Sequence, residues 1–503
     1  MNVHIDFFGI WYAVKSAALI ALILVAGSYA ADEAGLFFDI HPIMTEYLAM
    51  PFAAPHSPAY KALVDDAIIF PHHREVLMAR EDLITAKKDF LFTDLDGMTI
   101  ALYLAGEEIK IFPIKSKGKE GTFFETPNGL YSVRSKEANH LSSIAEVWMP
   151  WSMHFFGNYF IHGWPYYPNG KPVPEGFSGG CIRLTSADAK ELYSLATPGM
   201  PVLVYAAETP PAAAEAHAFF FEKIAGRTPA PPPALTARAV LAVDLETGQI
   251  LFEKNKDAIM PIASLTKLMT GLVAVETINR FKVLAMSDLA LATYGDSGGF
   301  TRGERFESQE YLYPLLLASS NDVATLFENQ VSGFVEIMNE KARSIGLIDT
   351  HFTDASGLDP GNVSTPQDLF RLLRFIDTHK KPLFAITSLD EYTGTSFDGA
   401  HTHTWRRVNW PKDERFVGGK SGFINEAGET MAGVWRVRMS ENGTRTIAVI
   451  TLGSASRHHD VDTLISYLED TFVYGLVYAE KNEPPRTVET GAAIFEAVRA
   501  WID

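Results

Sequence analysis

Hydrophobic and polar residues alternate along residues 93–207, which is the pattern of β-strands with one buried face. The runs 99–104 and 109–112 show it clearly, and the turn residues 105–108 between them predict a hairpin. The last predicted strand is the apolar run 201–205. We therefore predict a β-rich domain over residues 93–207.

A different pattern spans residues 235–482, with strand-like runs at both ends and helical periodicity over about 264–390. The four predicted strands are 239–244, 249–253, 431–439 and 445–452. The dipeptide Asn442-Gly443, which favours tight hairpins, separates the last two. This order predicts an α/β domain whose sheet is built from both ends of the segment, with a helical insert.

The remaining segments lack a strand pattern. Residues 208–234 are rich in proline and alanine and are predicted to be an extended linker. Residues 31–92 show the hydrophobic pattern of helices, and the sequence indicates no function for them. Residues 483–503 form an amphipathic tail, and its acidic side chains favour docking on the protein over docking on a membrane. The chain is thus predicted to be multidomain.

The first thirty residues resemble a targeting segment. Lys15 precedes the apolar run 17–26, and the small residues Ser28 and Ala30 have the spacing of a signal-peptidase site. We interpret residues 1–30 as a secretory signal. The alternative is a retained membrane anchor over residues 7–30. Both interpretations place the bulk of the chain outside the cytoplasm.

Composition narrows the possible partners. Lys and Arg number 43 against 61 Asp and Glu, a formal net charge of −18, which argues against nucleic acid as a partner. The chain has a single cysteine, Cys181, which cannot form an internal disulfide. In an exported protein an unpaired thiol is either a functional nucleophile or a buried structural residue.

The surroundings of Cys181 favour the nucleophile. Gly179 and Gly180 leave the thiol thinly covered, and the N–H groups of Gly180 and Cys181 could hold an oxyanion. Alternation over 154–162 predicts one strand that ends at His162, close enough to take the thiol proton and give a thiolate–imidazolium pair. Arg183 would either bind a substrate carboxylate or brace the loop.

A second candidate site begins at Ser264, which precedes a helical stripe and is followed three residues later by Lys267. The two side chains share a helix face, and burial near a helix N-terminus would lower the lysine pKa until it could deprotonate the serine. Two companion motifs, Ser319-Ser320-Asn321 and Lys420-Ser421-Gly422, follow in the order typical of serine acyl-transfer enzymes.

The cysteine segment resembles the L,D-transpeptidase (YkuD-type) catalytic domain of bacterial cell-wall enzymes. The resemblance rests on His162-Gly163 followed by Ser178-x-Gly-Cys-Ile-Arg-Leu. It implies that Cys181 attacks the peptide bond after the L-centre of meso-diaminopimelate in a tetrapeptide stem and releases D-alanine. His162 would be the base, and the backbone of Ser178 would help to orient it. One departure is Gly179, where the family usually has histidine.

The serine segment resembles the penicillin-binding D-alanyl-D-alanine carboxypeptidases of the S11 peptidase type. This resemblance implies that Ser264 is acylated and Lys267 is its base. Ser319 would relay the proton, and Asn321 would hold the substrate amide. Lys420 and Ser421 would bind the terminal carboxylate, with Gly422 completing their motif. The N–H groups of Ser264 and Phe423 would form the oxyanion hole.

Together the two resemblances predict a bifunctional peptidoglycan enzyme of the periplasm or cell envelope. Its partners would be peptidoglycan stem peptides, with β-lactams as covalent inhibitors, and no cofactor or metal is expected. His401 and His403 are interpreted as surface or packing residues because no third ligand lies near them in sequence. The alternatives are a D,D-endopeptidase with an L,D-carboxypeptidase, or a protein in which only the serine site is active.

Overall fold

The computed structural model describes residues 71–142, 144–206, 222–223, 232–246, 248–295, 298–408, 413–440 and 443–473. The predicted signal or anchor, most of the linker and the amphipathic tail lie outside these ranges. Within them, no helix has both the length and the apolar character needed to span a bilayer.

The first domain contains nine strands and two helices among the described residues. Its elements are α1 (Pro71–Thr85), β1 (Phe90–Asp94), β2 (Thr99–Leu104), β3 (Glu107–Pro113), β4 (Gly129–Ser132), β5 (Ser135–Leu141), β6 (Trp148–Phe156), β7 (Tyr159–His162), β8 (Ile182–Arg183), α2 (Ser186–Leu195) and β9 (Pro201–Tyr205). They form one sheet of order β3-β2-β1-β9-β4 and a second of order β5-β6-β7-β8. The buried faces of the two sheets and of α2 share one hydrophobic core.

The structure confirms a β-rich first domain but corrects two details. The first strand begins at Phe90 rather than near residue 93. The segment 154–162 is a hairpin rather than one strand, because Phe156 pairs with Tyr159 around the turn Gly157-Asn158. Alternation cannot separate these two arrangements, since His154 and Phe160 share a face in both.

The second domain joins a five-stranded sheet to a helical insert. Its elements are β11 (Ala239–Asp244), β12 (Ile250–Lys254), β13 (Met260–Pro261), a 3₁₀ turn (Ala263–Leu265), α3 (Thr266–Thr277), β14 (Val283–Ala285), α4 (Asp288–Leu291), β15 (Arg305–Glu307), α5 (Leu312–Leu316), α6 (Asn321–Glu328), α7 (Phe334–Ser344), β16 (Val363–Ser364), α8 (Pro366–His379), α9 (Lys381–Thr387), β17 (Glu391–Thr395), β18 (Thr402–Arg406), β19 (Phe416–Ile424), β20 (Gly428–Ser440), β21 (Gly443–Ser454) and α10 (Arg457–Thr471). Before it, β10 (Glu222–Lys223) pairs with the final strand β22 (Phe472–Val473).

The main sheet of this domain has the order β12-β11-β21-β20-β19, so strands from both ends of the segment lie side by side as predicted. Helices α3 and α8 contribute to a large core on one face, and α10 packs with a smaller core on the other. Strand β19 is an edge strand, and the 3₁₀ turn packs against it. An edge strand has unpaired backbone groups, which makes this edge suitable for binding an extended peptide.

Two candidate active sites

Ser264 lies in the 3₁₀ turn that leads directly into α3. The preceding residue, Ala263, has a left-handed backbone with φ +52. Gly357 packs so closely against this turn that a Cβ there would lie 2.0 Å from the Ala263 carbonyl oxygen. A strained, tightly packed backbone of this kind is a frequent feature of catalytic residues.

Lys267 is fully buried one turn after Ser264. Its Nζ lies 3.0 Å from Ser264 Oγ, 2.7 Å from Asn321 Oδ1 and 2.5 Å from the Ser356 carbonyl oxygen. The sequence predicted the pairing of Lys267 with Ser264 and placed Asn321 at the same site through the substrate amide; its contact with Lys267 appears only in the structure. A neutral amine satisfies all three positions, because two N–H groups can donate to Asn321 and Ser356 while the lone pair accepts the Ser264 proton.

Burial lowers the pKa of Lys267 to about 7, against an opposing influence of the carboxylates of Asp354 and Asp322. A substantial fraction of the side chain is therefore neutral at physiological pH. The position of the lone pair and this pKa are the two properties that a general base for Ser264 needs.

Asn321, the first residue of α6, contacts Lys267, and Ser319 lies two residues before it in the chain. The Asn321 amide is oriented at both ends, since Nδ2 donates to the Tyr294 carbonyl oxygen at 2.7 Å. Ser319 has a left-handed backbone with φ +60, and its hydroxyl has no hydrogen-bond partner among the described residues. It is half-exposed and remains available to a ligand.

The third motif lies on edge strand β19. A Cβ on Gly422 would lie 2.7 Å from the Ser264 nitrogen, so only glycine allows the strand to approach the nucleophile this closely. Lys420 is buried and donates to the Ser421 carbonyl oxygen at 2.8 Å. Burial holds its pKa well below the usual value, and the charges of Lys267 and Arg457 act in the same direction. Phe423 is exposed.

Sequence reasoning missed two supports of the serine site. Asp354 Oδ1 accepts hydrogen bonds from the N–H groups of Ser356 and Gly357 at 2.5 Å each, which fixes the carbonyl that faces Lys267. Arg457 Nη1 donates to the Gly422 carbonyl oxygen at 2.5 Å and holds β19 from behind. The run Asp354-Ala355-Ser356-Gly357 has the composition of an Asx turn, a signal that could have indicated the first support.

Residues 178–181 form the loop that carries the thiol, which we call the cysteine loop. Short hydrogen bonds stabilise it, and one of its positions requires glycine. Ser178 Oγ donates to the Cys181 carbonyl oxygen at 2.5 Å and accepts from the Gly180 N–H at 3.0 Å. Gly180 has φ +113, and a Cβ there would lie 2.1 Å from the Tyr159 ring. Ser178 therefore shapes the loop, and its side-chain contacts are to Cys181 and Gly180 rather than to His162.

Cys181 and His162 lie on the same side of the sheet but make no hydrogen bond to each other within the described residues. His162 pairs with Arg183 across the parallel strands β7 and β8, two residues beyond the thiol. The Cys181 Sγ instead lies 3.6 Å from the Asn158 carbonyl oxygen. His162 Nδ1 lies 2.6 Å from the Gly163 carbonyl oxygen and must donate to it, which leaves Nε2 as the basic nitrogen.

Burial raises the pKa of the Cys181 thiol to about 11 and lowers the pKa of His162 to about 3. Both pKa shifts favour a neutral thiol and a neutral imidazole before substrate binds. The thiolate–imidazolium pair expected from sequence is thus not the resting arrangement. A neutral His162 can still accept the thiol proton during attack on a substrate.

Arg183 lies beside a cavity of about 670 Å³. The backbone of Arg183 pairs with Ser116, and the cavity is lined by residues that include Ser116, Lys115, Lys117, Trp164 and Phe177. The Arg183 Nε is buried without a hydrogen-bond partner, and its guanidinium carbon lies 5.7 Å from the centre of the Trp164 ring. Its position suits either of the two roles predicted from sequence.

The remaining histidine prediction concerns His401 and His403. His403 is partly buried, contacts buried Glu304 at 2.5 Å and stacks on Trp405. Among the described residues there is no group of three histidine, cysteine or acidic side chains arranged to hold a metal ion. Through its contacts with Glu304 and Trp405, His403 packs in the second domain.

Comparison with known proteins gives one family-model match for each of the two regions. Residues 88–204 match the family model described as the L,D-transpeptidase catalytic domain, and residues 226–455 match that of the D-alanyl-D-alanine carboxypeptidases. One chain therefore contains a region similar to each of the two families. This confirms the two resemblances and the multidomain α/β and β-rich architecture.

Curated relatives of the second region include bacterial enzymes with two names. A D-alanyl-D-alanine endopeptidase of Pseudomonas aeruginosa is 29% identical over 53% of this chain and 88% of the relative. The carboxypeptidase DacF of Bacillus subtilis is 28% identical over 38% of this chain and 52% of the relative. Among solved structures, penicillin-binding protein D2 of Listeria monocytogenes in its ampicillin-bound form is 29% identical over 47% of this chain and 99% of that chain, with a TM-score of 0.41.

Proposed function

We propose that the chain is a bifunctional peptidoglycan-remodelling enzyme, in which the Ser264 site removes the terminal D-alanine from pentapeptide stems. The observation that carries this proposal is the buried Lys267, which contacts both Ser264 and Asn321 and has a pKa of about 7. Lys267 takes the Ser264 proton, and Ser264 forms an acyl-enzyme with the stem as D-alanine leaves. Water then releases a tetrapeptide.

At the serine site, edge strand β19 binds the extended stem. The Ser264 and Phe423 N–H groups hold the oxyanion, and Gly422 allows this approach. Lys420 and Ser421 hold the terminal carboxylate, and Ser319 relays the proton to the leaving amine. In this proposal β-lactams acylate Ser264 as covalent inhibitors.

The Cys181 site uses the tetrapeptide that the serine site makes. The thiol attacks the carbonyl after the L-centre of the diamino acid, His162 Nε2 accepts its proton, and D-alanine leaves with a proton. The resulting thioester is transferred to an amine of a second stem, which gives a 3→3 cross-link. The N–H groups of Gly180 and Cys181 stabilise the oxyanion, and Arg183 binds a substrate carboxylate. Such chemistry places the enzyme in the cell envelope, consistent with the predicted N-terminal signal or anchor.

The order of the two reactions is testable with pentapeptide stems as the sole substrate. Ser264→Ala is expected to abolish 3→3 cross-links, while Cys181→Ala is expected to accumulate tetrapeptides, as measured by mass spectrometry of digested muropeptides. Cross-linking of pentapeptides by Ser264→Ala would contradict the coupling of the two sites.

A second candidate for the serine site is D,D-endopeptidase activity, paired with L,D-carboxypeptidase activity at Cys181. It is favoured by two relatives named D-alanyl-D-alanine endopeptidase, of Pseudomonas aeruginosa and Escherichia coli, which are covered over 88% and 82% of their lengths. Incubation with purified 4→3 cross-linked dimers separates the candidates, because only an endopeptidase yields monomers.

A third candidate is a protein with an active serine site and an inactive cysteine site. Two observations on Cys181 favour this candidate. The pKa of its thiol is about 11, and the thiol is hydrogen-bonded to the Asn158 carbonyl oxygen rather than to His162. Labelling with a fluorescent penicillin and with a thiol-reactive carbapenem tests each nucleophile. Carbapenem labelling of the Ser264→Ala variant that disappears when Cys181→Ala is added would exclude this candidate.

A further inference from the structure

The cysteine loop is held by a second loop, residues 117–128, which we call the brace loop. Thr126 Oγ1 donates to the Gly180 carbonyl oxygen at 2.8 Å and accepts from the Gly118 N–H at 2.9 Å. The two loops are so close that a Cβ on Gly118 would lie 2.9 Å from the Gly180 Cα. The backbone beside the nucleophile therefore depends on the shape of the brace loop.

The brace loop is in turn fastened to the second domain at the end of α8. His379 Nδ1 lies 2.7 Å from Glu125 Oε1, and His379 Nε2 lies 3.0 Å from Asn128 Nδ2. Lys380 Nζ donates to the Glu125 carbonyl oxygen at 2.9 Å. All four residues are buried. Buried polar groups of this kind are costly unless each finds its partner, so the contact fixes one geometry.

A second connection reaches the thiol through the helix that begins beside Ser264. At the C-terminal end of α3, the Glu276 carbonyl oxygen accepts from the Asn158 N–H at 3.0 Å. The Asn158 carbonyl oxygen is the acceptor of the Cys181 thiol. Gly157 has φ +47, and a Cβ there would lie 2.4 Å from the Glu276 carbonyl oxygen. The second domain thus contacts the cysteine site from two directions.

We infer that the second domain positions the Cys181 nucleophile, with His379 acting through Glu125 and the brace loop as a positioning residue for the cysteine site. The relation is independent of acylation at Ser264, because neither connection includes a group that reacts there. It goes beyond a chain of two autonomous enzymes, since the cysteine loop keeps the geometry of these contacts only while the serine domain is docked.

The single cysteine makes this inference directly measurable in the full-length chain. We expect His379→Leu to loosen the brace loop, so that alkylation of Cys181 by iodoacetamide rises about threefold or more through local opening. Turnover of tetrapeptide should fall about tenfold in kcat with little change in KM, because binding groups stay in place while alignment is lost. Only this turnover measurement rests on the proposed function; the alkylation rate does not.

His379→Asn is the conservative variant, because its amide nitrogen occupies the position of Nδ1 and can donate to Glu125. We expect it to restore an alkylation rate close to that of the wild type. The control is Arg445→Gln, which breaks the buried ion pair with Asp244 inside the second domain, away from the brace loop. It should lower the unfolding temperature without changing the alkylation rate.

Labelling of Ser264 by a fluorescent penicillin reports the folding of the second domain in every variant and should stay within about twofold of wild type. An unchanged alkylation rate in His379→Leu would overturn the inference. So would an equal change in Arg445→Gln, which would show a general loss of stability. If His379→Leu does not fold, Glu125→Gln tests the same inference. Its amide N–H₂ must face one of two donors, the Gly121 N–H or His379, so one hydrogen bond of the brace loop is lost. The same two outcomes for the alkylation rate then support or overturn the inference.

Discussion

Lys267 is fully buried, and its Nζ makes three polar contacts, to Ser264, Asn321 and Ser356. Its pKa of about 7 is set by burial, which outweighs the two carboxylates nearby. The sequence predicted the lowered pKa from the position of the lysine near a helix start. It could not predict the third acceptor, because the Ser356 carbonyl arrives from a loop almost ninety residues away along the chain.

The pKa of Lys267 predicts how the serine site depends on pH. Below the pKa of about 7 the amine is protonated and cannot take the Ser264 proton, so acylation should be slow. The rate of acylation by a fluorescent penicillin should rise through one titration step near pH 7 and then level off. In Lys267→Arg the side chain stays protonated, and the rate of acylation should fall about 10²–10⁴-fold. A flat pH profile would contradict the assignment of Lys267 as the base.

Gly179 and Gly180 differ in what a side chain would meet. A Cβ on Gly179 has no neighbour within 4 Å, whereas Gly180 is held by its φ of +113 and by the Tyr159 ring. We predict that Gly179→His leaves stability within about 0.5 kcal/mol. It should accelerate carbapenem labelling of Cys181 about tenfold, because a nearby imidazole favours the thiolate. Gly180→Ala is the matched control and should slow labelling and destabilise the fold by about 1–3 kcal/mol.

At the scale of elements, the sequence predicted strands β2, β3 and β9 of the first domain and β11, β12, β20 and β21 of the second. It did not predict β5, β8 or the turn beside the thiol. The turn signal Gly157-Asn158 is present in the sequence and is of a type that favours two-residue hairpins. Alternation through 154–162 concealed it. Helix α3 was predicted from its apolar stripe, and Leu265, Leu268 and Leu272 are indeed buried. The 3₁₀ turn that exposes Ser264 depends on packing by distant segments, which local pattern cannot encode.

The approach of β19 to the 3₁₀ turn predicts the effect of a single methyl group. Gly422→Ala would place Cβ 2.7 Å from the Ser264 nitrogen and force the strand away from the proposed oxyanion hole. We expect penicillin acylation to fall about 10²-fold while the domain stays folded. Gly271→Ala in α3 is the control, because its Cβ would meet only ordinary contacts at 3.7 Å. It should stabilise the helix by up to about 1 kcal/mol and leave acylation unchanged. Equal losses in both variants would contradict the argument.

At the scale of the whole molecule, the two domains share a buried set of charges. Glu276 lies 3.0 Å from Lys341 Nζ and 3.7 Å from Lys380 Nζ, and all three side chains are fully buried. Lys341 also lies 3.2 Å from the Tyr131 hydroxyl of the first domain. From sequence these charges are indistinguishable from solvated helix faces, since their contacts join residues far apart along the chain. The linker composition had suggested two separate domains.

The shared charges predict that both domains unfold in one cooperative transition. Lys341→Met removes the nearest partner of Glu276 and should destabilise the whole molecule by about 3 kcal/mol, because the buried carboxylate keeps only the more distant Lys380, at 3.7 Å. The midpoint of the unfolding transition should fall by the same amount whether unfolding is followed by the reactivity of Cys181 in the first domain or by penicillin binding in the second. Lys110→Met breaks an exposed ion pair with Glu191 and should cost less than about 0.5 kcal/mol. Two separate transitions in the wild-type chain, or a loss confined to one domain in Lys341→Met, would mean that the interface does not couple the domains.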